Sequence, residues 1–434
     1  MSNWFMEVNG MALKHATPML DELEKGPWPS FVTDMKRIAA RKPMCEDWLG
    51  LMEMSYHDKE GHWKHGGIVG VFGYGGGVIG RYCDRPDLFP NVAHFHTMRV
   101  NQPASKFYNT EILRRICDLW EEKGSGVTNM HGSTGDIILL GCTTDQLEPT
   151  FYELTHDLGM DLGGSGSNLR TPEGCLGKAR CEWSCLDTQD IIYDCTMQYQ
   201  DALHRPMFPY KFKFKCSGCA CDCVAAIARA DCSIIGTWRD NIQIDQEAVR
   251  AYVAGEFAVH GGAGAEGKRA LDMTTEVLER CPTRCMEWDG KNLKIWDEDC
   301  TRCMHCIRVM PRALKPGKDV GATILVGAKA PILEGAQLSS VVIPFIKMEP
   351  PYEEFHSFVE KMWDWWMENG KNRERLGELI QRLGLREFLK ACELTPDPRM
   401  INTPRFNPYI FYDPAEVPGG WEHDAKGYRE RHQA

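Results

Sequence analysis

Residues 211–223 read KFKFKCSGCACDC. Successive side chains of an extended chain point to opposite faces, so Lys211, Lys213 and Lys215 share one face and Phe212 and Phe214 the other. Alone, such a strand reads as an exposed charged face. Here cysteines follow at once, at 216, 219, 221 and 223. Thiolates beside aligned cations point to a metal group set next to an anion. Upstream, Cys175 and Cys181 form C-x5-C, about forty residues before the C-x3-C of Cys219 and Cys223.

Cysteine is the compositional anomaly, at 19 of 434 residues, nine of them between Cys175 and Cys232 and five between Cys281 and Cys306. An odd count behind an opening, MSNWFMEVNG, that has no basic-then-apolar leader fits a reducing, cytoplasmic setting, where thiols bind metals more often than they pair. Hydrophobic residues at 43% and charged residues at 26% exclude wholesale disorder. A net charge of −11 excludes a broadly basic nucleic-acid binder, and no apolar run is long enough to predict a membrane span.

The second cysteine group lies in CPTRCMEWDGKNLKIWDEDCTRCMHCIRVMP, residues 281–311. Cys300, Cys303 and Cys306 form C-x2-C-x2-C, the spacing that wraps three thiolates around one [4Fe–4S] cluster. In bacterial ferredoxins a further x3-C-P supplies a ligand to a second cluster. That position is Met310-Pro311 here, so one cluster is expected in this segment. Its fourth ligand is read as Cys281, which precedes Pro282, with a hairpin around Asp289-Gly290 between. Cys285 is read as a nearby thiol that could replace Cys281. The competing chemistry is structural zinc, for which two C-x2-4-C pairs would be the usual spacing.

Elsewhere the pattern predicts alternating helices and strands. Helices are expected over 31–40, 110–123, 147–158, 248–259, 355–369 and 373–394, and strands over 136–142 and 322–326. Gly75, Gly77 and Gly80 satisfy G-x-G-x-x-G, but Pro86 and Pro90 oppose the helix a dinucleotide would need. Residues 163–168 read as a binding loop or boundary, 261–267 as a hinge, and the tail from 395 as a wrapping segment. Trp120 and the stripe Phe355, Phe358, Val359, Met362 and Trp366 read as core. His94 and His96 read as structural.

The cysteine spacings, the KFKFK strand and the stretches KHATPMLDELEKGPWPSF (14–31), RPDLFPNVAHFHTMRV (85–100), HGSTGDI (131–137) and SGSNLRTPEGCLGKARCEWSC (165–185) together resemble the siroheme sulfite and nitrite reductase family, in particular alpha subunits of dissimilatory sulfite reductases. The resemblance covers nearly the whole chain. It implies an α+β fold of sulfite-reductase-like antiparallel sheets with helices, plus an inserted ferredoxin-like [4Fe–4S] domain. Expected boundaries are 1–165, then 166–268 continued by 321–434, with the insertion at 269–320.

By position, the resemblance implies that Cys175, Cys181, Cys219 and Cys223 ligate a [4Fe–4S] cluster, with Cys223 bridging to siroheme or its metal-free form. Cys281, Cys300, Cys303 and Cys306 would hold a second cluster, through which electrons enter. Arg99, Arg170, Lys211 and Lys213 would act on sulfite, and Lys215, Arg81, His131, Ser133 and Thr134 would meet the carboxylates of the macrocycle. Implied partners are a homologous beta subunit in an α2β2 complex and a small sulfur-carrier protein with C-terminal cysteines. The family loop normally reads S-G-C-P-N-x-C, so Cys216 and Cys221 are rival sulfurs here. Siroheme nitrite reduction and a zinc-stabilised interaction protein are the alternative readings.

Overall fold

The computed structural model describes residues 14–25, 31–68, 75–101, 105, 107–262, 268–330 and 336–396. Two sheets organise the chain. The first is antiparallel, in the order Trp63–Ile68, Val78–Cys83, His94–Asn101, Ile137–Cys142, Val127–Met130, with Asp161–Leu162 also paired to His94–Asn101. Helix Thr110–Lys123 packs on it through Ile116, Leu119 and Trp120. Asn109 caps this helix by accepting a hydrogen bond from the Ile112 N–H at 2.8 Å. Trp120 is fully buried, and its indole N–H donates to the Val127 carbonyl at 2.8 Å.

The second sheet runs Ser340–Ile346, Val320–Val326, Cys232–Trp238, Phe214–Ser217, Glu173–Gly174. Its first two pairings are antiparallel and its last two parallel. The parallel register sets Glu173 beside Lys215 and Gly174 beside Cys216, which no local sequence pattern announces. Phe212 and Phe214 turn into an aromatic core, their rings 5.0 Å apart and edge-on. Helix Glu353–Asn369 covers that core with Phe355, Phe358, Val359, Met362 and Trp366, all buried.

Trp238 pairs with Val320, so residues 239–319 leave the sheet and return to neighbouring positions. This excursion holds the second cysteine group. Its hairpin, Met286–Trp288 with Leu293–Ile295, turns where Asp289-Gly290 was expected to turn it. Its apolar residues share one core with Cys185, Cys219 and Trp238.

Three helices differ from expectation. The helix expected over 248–259 is Gln246–Val253, ending before Gly255 at φ +77. The helix expected over 373–394 is two, Leu376–Leu383 and Leu385–Ala391, broken at Gly384 with φ +97. The helix over 147–158 is α-helical only for Leu147–Tyr152 and continues as a π-helical turn, Glu153–Asp157. A strand, Val78–Cys83, follows Gly75 and Gly77, so the dinucleotide reading lacks its helix. Residues 26–30, 69–74, 263–267 and the tail beyond 396 lie outside the described residues. Among those described, no helix is long and apolar enough to cross a membrane.

Candidate functional site

Cations gather where the two sheets meet. Arg99, on His94–Asn101, forms an ion pair with Asp136, whose Oδ2 also accepts from the Thr134 hydroxyl at 2.9 Å. Thr134 in turn meets His131 Nδ1 at 2.6 Å. The Lys213 ammonium bonds Ser133 of the same loop. Arg170 donates to the carbonyls of Asn168 and Gly166 at 3.0 and 2.9 Å, which fixes its guanidinium in the 163–168 loop. Gly164 is required there, because a Cβ would meet the Leu169 carbonyl at 1.6 Å.

Arg375 completes the group, gripping Asp231 with Nε and Nη2 at 2.8 and 2.7 Å. Asp231 also accepts from the Lys213 backbone N–H at 2.9 Å. Arg375 and Asp231 had gone unnoticed in the sequence, since a lone Arg–Asp pair separated by 144 residues carries no local signal. Lys211 lies over the Tyr210 ring at 5.0 Å.

Crowding and burial lower Lys213, Arg170, Arg81 and His131, whereas Arg375, against the same burial, is held up by its pairing with Asp231. Burial, reinforced by Arg375, brings Lys213 down to about 7. Burial, with Arg99 adding to it, lowers Arg170 to about 9 and Arg81 to about 10. His131 falls to about 4 through burial and the charge of Arg99. Each of these downward shifts disfavours positive charge, which an anion in the pocket would offset. Its unsatisfied donors say the same. Arg81 Nε and Nη1 and Arg99 Nε are buried without a partner, whereas buried polar groups are ordinarily paired. A polycarboxylate fits this donor set, because each charge-assisted bond would satisfy a group now left over.

Lys215 departs from its expected role. It is 1% exposed, its ammonium is paired with Glu173, and it also donates to the Val224 carbonyl at 2.7 Å. Glu173 stands two residues before Cys175 and Val224 one after Cys223, so this lysine ties together the two stretches that carry the first cysteine group.

That group lies at the other end of the Phe214–Ser217 strand. The Gly218 N–H donates to Cys175 Sγ at 3.1 Å, and Cys219 and Cys223 each lie within electrostatic reach of Cys181. A Cβ on Gly218 would meet Ser184 Oγ at 2.0 Å, so only glycine lets the loops close. The rival sulfurs separate. Cys216 falls on the Phe212 and Phe214 face and is buried in the aromatic core. Cys221 stays in the loop, in hydrogen-bond contact with Cys219, Cys223 and Arg308. Asp222 and Ala225 have φ of 46° and 52°, a left-handed backbone that non-glycine residues adopt at a cost and keep only where the surroundings enforce it.

The second group lines one cavity. Cys281, Cys285, Cys300, Cys303 and Cys306 form its wall with Trp238 and Arg302. Cys281 and Cys285 sulfurs are 3.6 Å apart, so Cys285 belongs to the wall itself. Arg284, Arg302 and Met304 repeat the left-handed backbone of the first loop. Among the described residues, no three His, Cys, Asp or Glu side chains converge on a single metal ion. His96 bonds Thr144 at 2.8 Å, whereas His94 is exposed.

Known proteins resemble this chain over most of its length. Residues 165–397 match the family described as the nitrite and sulphite reductase 4Fe-4S domain. The dissimilatory-type sulfite reductase alpha subunit of Nitratidesulfovibrio vulgaris is 59% identical, over 96% of this chain and 99% of its own length. A crystal structure of dissimilatory sulfite reductase I superposes with a TM-score of 0.84 at 58% identity, covering 97% of this chain and all of that one. The beta subunit from Archaeoglobus fulgidus is 23% identical over 81% of this chain and 90% of its own length. An α+β fold built around two thiol-rich loops thus defines an iron–sulfur reductase of the sulfite and nitrite class. Within that class, the chain belongs to the family of dissimilatory-type sulfite reductase alpha subunits. The reading as a zinc-stabilised interaction protein gives way to this assignment, and the nitrite alternative is not favoured.

Proposed function

We propose that the chain is the alpha subunit of a cytoplasmic, siroheme-dependent dissimilatory sulfite reductase that carries sulfite toward sulfide in sulfate or sulfite respiration. The observation that carries this is the set of orphaned guanidinium nitrogens on Arg81 and Arg99 inside a cation-rich pocket. Cys175, Cys181, Cys219 and Cys223 would hold one [4Fe–4S] cluster, with Cys223 also bridging to the macrocycle. Cys281, Cys300, Cys303 and Cys306 would hold the other, in the ferredoxin-like unit expected at 269–320, which falls within the excursion between Trp238 and Val320. Siroheme and its cluster, when bound, supply the iron that takes the anion and the electrons for a six-electron reduction.

The protein's own groups do the rest. Arg99 and Arg170 bind and orient the oxyanion, since a guanidinium offers fixed donors and keeps its charge more readily than an amine. Lys213, poised near 7, gives a proton and is recharged from solvent. Lys211 adds positive charge beside it. Arg81, His131, Ser133 and Thr134 face the carboxylates of the macrocycle, while Lys215 braces the cysteine loops.

Lys213 and Cys219 are six residues apart along a mostly extended segment, roughly 15–20 Å at about 3.3 Å per residue. This separation favours a split arrangement, in which these cations complete a site whose cysteines belong to a homologous beta subunit, within an α2β2 complex. A small sulfur-carrier protein would take the product-side sulfur. The test is anaerobic isolation with the companion chain, followed by iron and acid-labile sulfide analysis and a visible spectrum. A tetrapyrrole band with two clusters per chain is expected; neither pigment nor sulfide would overturn the proposal.

A further inference from the structure

Trp238 ends the strand Cys232–Trp238 and is 2% exposed. Its indole Nε1 is buried and has no hydrogen-bond partner. A buried indole N–H ordinarily finds an acceptor, and the surface this side chain helps to line is the cavity of the second cysteine group. Arg302 stands on the same wall. Its Nη1 donates to the Cys300 carbonyl at 3.0 Å and its Nη2 to the Arg239 carbonyl at 3.2 Å. Its backbone N–H points to Cys300 Sγ at 3.4 Å, and its Nε is buried without a partner. Two orphaned donors thus sit on side chains that line a cavity walled by five cysteines, with Thr301 and His305 also on its wall.

The inference rests on the reading of this cavity as a [4Fe–4S] site. We propose that Trp238 Nε1–H, supported by Arg302 Nε–H, donates to a sulfur of the cluster held there and raises its reduction potential. Hydrogen bonds to cluster sulfurs stabilise the form carrying the extra electron, because negative charge on sulfur grows on reduction. A raised potential suits this cluster to take electrons from an external donor. Trp238 is a tuning residue and ligates nothing itself.

The test is a redox titration of the assembled complex, following the reduced clusters by electron paramagnetic resonance. Trp238→Phe keeps an aromatic ring and removes the N–H. At a fixed potential the reduced-to-oxidised ratio of the second cluster should fall about tenfold, about 59 mV for one electron, with iron, sulfide and the tetrapyrrole band unchanged. An unmoved potential at full iron content would overturn the proposal. Should Trp238→Phe fail to load the cluster, Arg302→Lys carries the same test: a lowered potential supports it and an unmoved one refutes it. A wild-type complex with a single cluster per chain would refute the underlying assignment, an outcome distinct from a missing shift.

Discussion

The two cysteine groups are built in opposite ways. The first collects its sulfurs from residues 175–181 and 219–223, and needs two parallel strand pairings and a buried Lys215–Glu173 pair to bring them together. Charged groups occupy the far end of the same strand. The second takes all its sulfurs from residues 281–306, and its cavity is bordered by apolar side chains, Trp238 and Arg302. The contrast separates two tasks. A centre next to a large anionic group needs cations and a rigid frame assembled from distant chain, whereas a relay needs only thiolates and a dry, compact shell.

The largest test of that contrast is Cys306→Ala. It should abolish the second cluster completely while leaving the tetrapyrrole band, and unchanged iron per chain would show that the triplet holds no cluster. Lys215→Met probes the frame that only the first group has. It removes the buried ion pair with Glu173, a loss of about 3–5 kcal/mol, visible in denaturant unfolding of the complex. Glu173→Gln added to it should recover part of the loss.

Lys213→Ala comes next. It should cut turnover about hundredfold, near 2.7 kcal/mol of barrier, without changing cofactor content. The smallest effect is in pH. With Lys213 protonated below about 7 and neutral above, the wild-type rate should fall as pH rises through 7, approaching tenfold per unit. Lys213→Arg, which keeps its charge, should flatten that fall. A wild-type rate that instead climbs through pH 7 would remove Lys213 as the proton donor.

Local periodicity carried much of this fold. The alternation of KFKFK placed Phe212 and Phe214 in the core, and the stripe on 353–369 lies where helical spacing puts it. The same alternation also explains why Cys216 leaves the cysteine loop for the core. The face it gave Lys215 is right, but the role the resemblance implied for that lysine meets a competitor, since its ammonium is taken by Glu173, a partner fixed by sheet register and not by sequence distance. Arg375 and Asp231 were hidden because a helix N-cap and a residue 144 positions earlier meet only in the folded chain. Cys285 looked like a bystander because spacing counts ligands but does not locate neighbouring walls. Gly384 and Gly255 broke helices whose apolar pattern runs on, since backbone sign overrides periodicity.

The pairing of Trp238 with Val320 closes residues 239–319 into a detachable cassette. Its two ends emerge about one strand spacing apart, roughly 5 Å, so a short turn could replace it without re-registering the sheet. The apolar body it shares with Cys185 and Cys219 would then be laid bare to water. Topology lets such a module be gained or lost in one event, but any lineage that shed it would have to repaint the surface left behind.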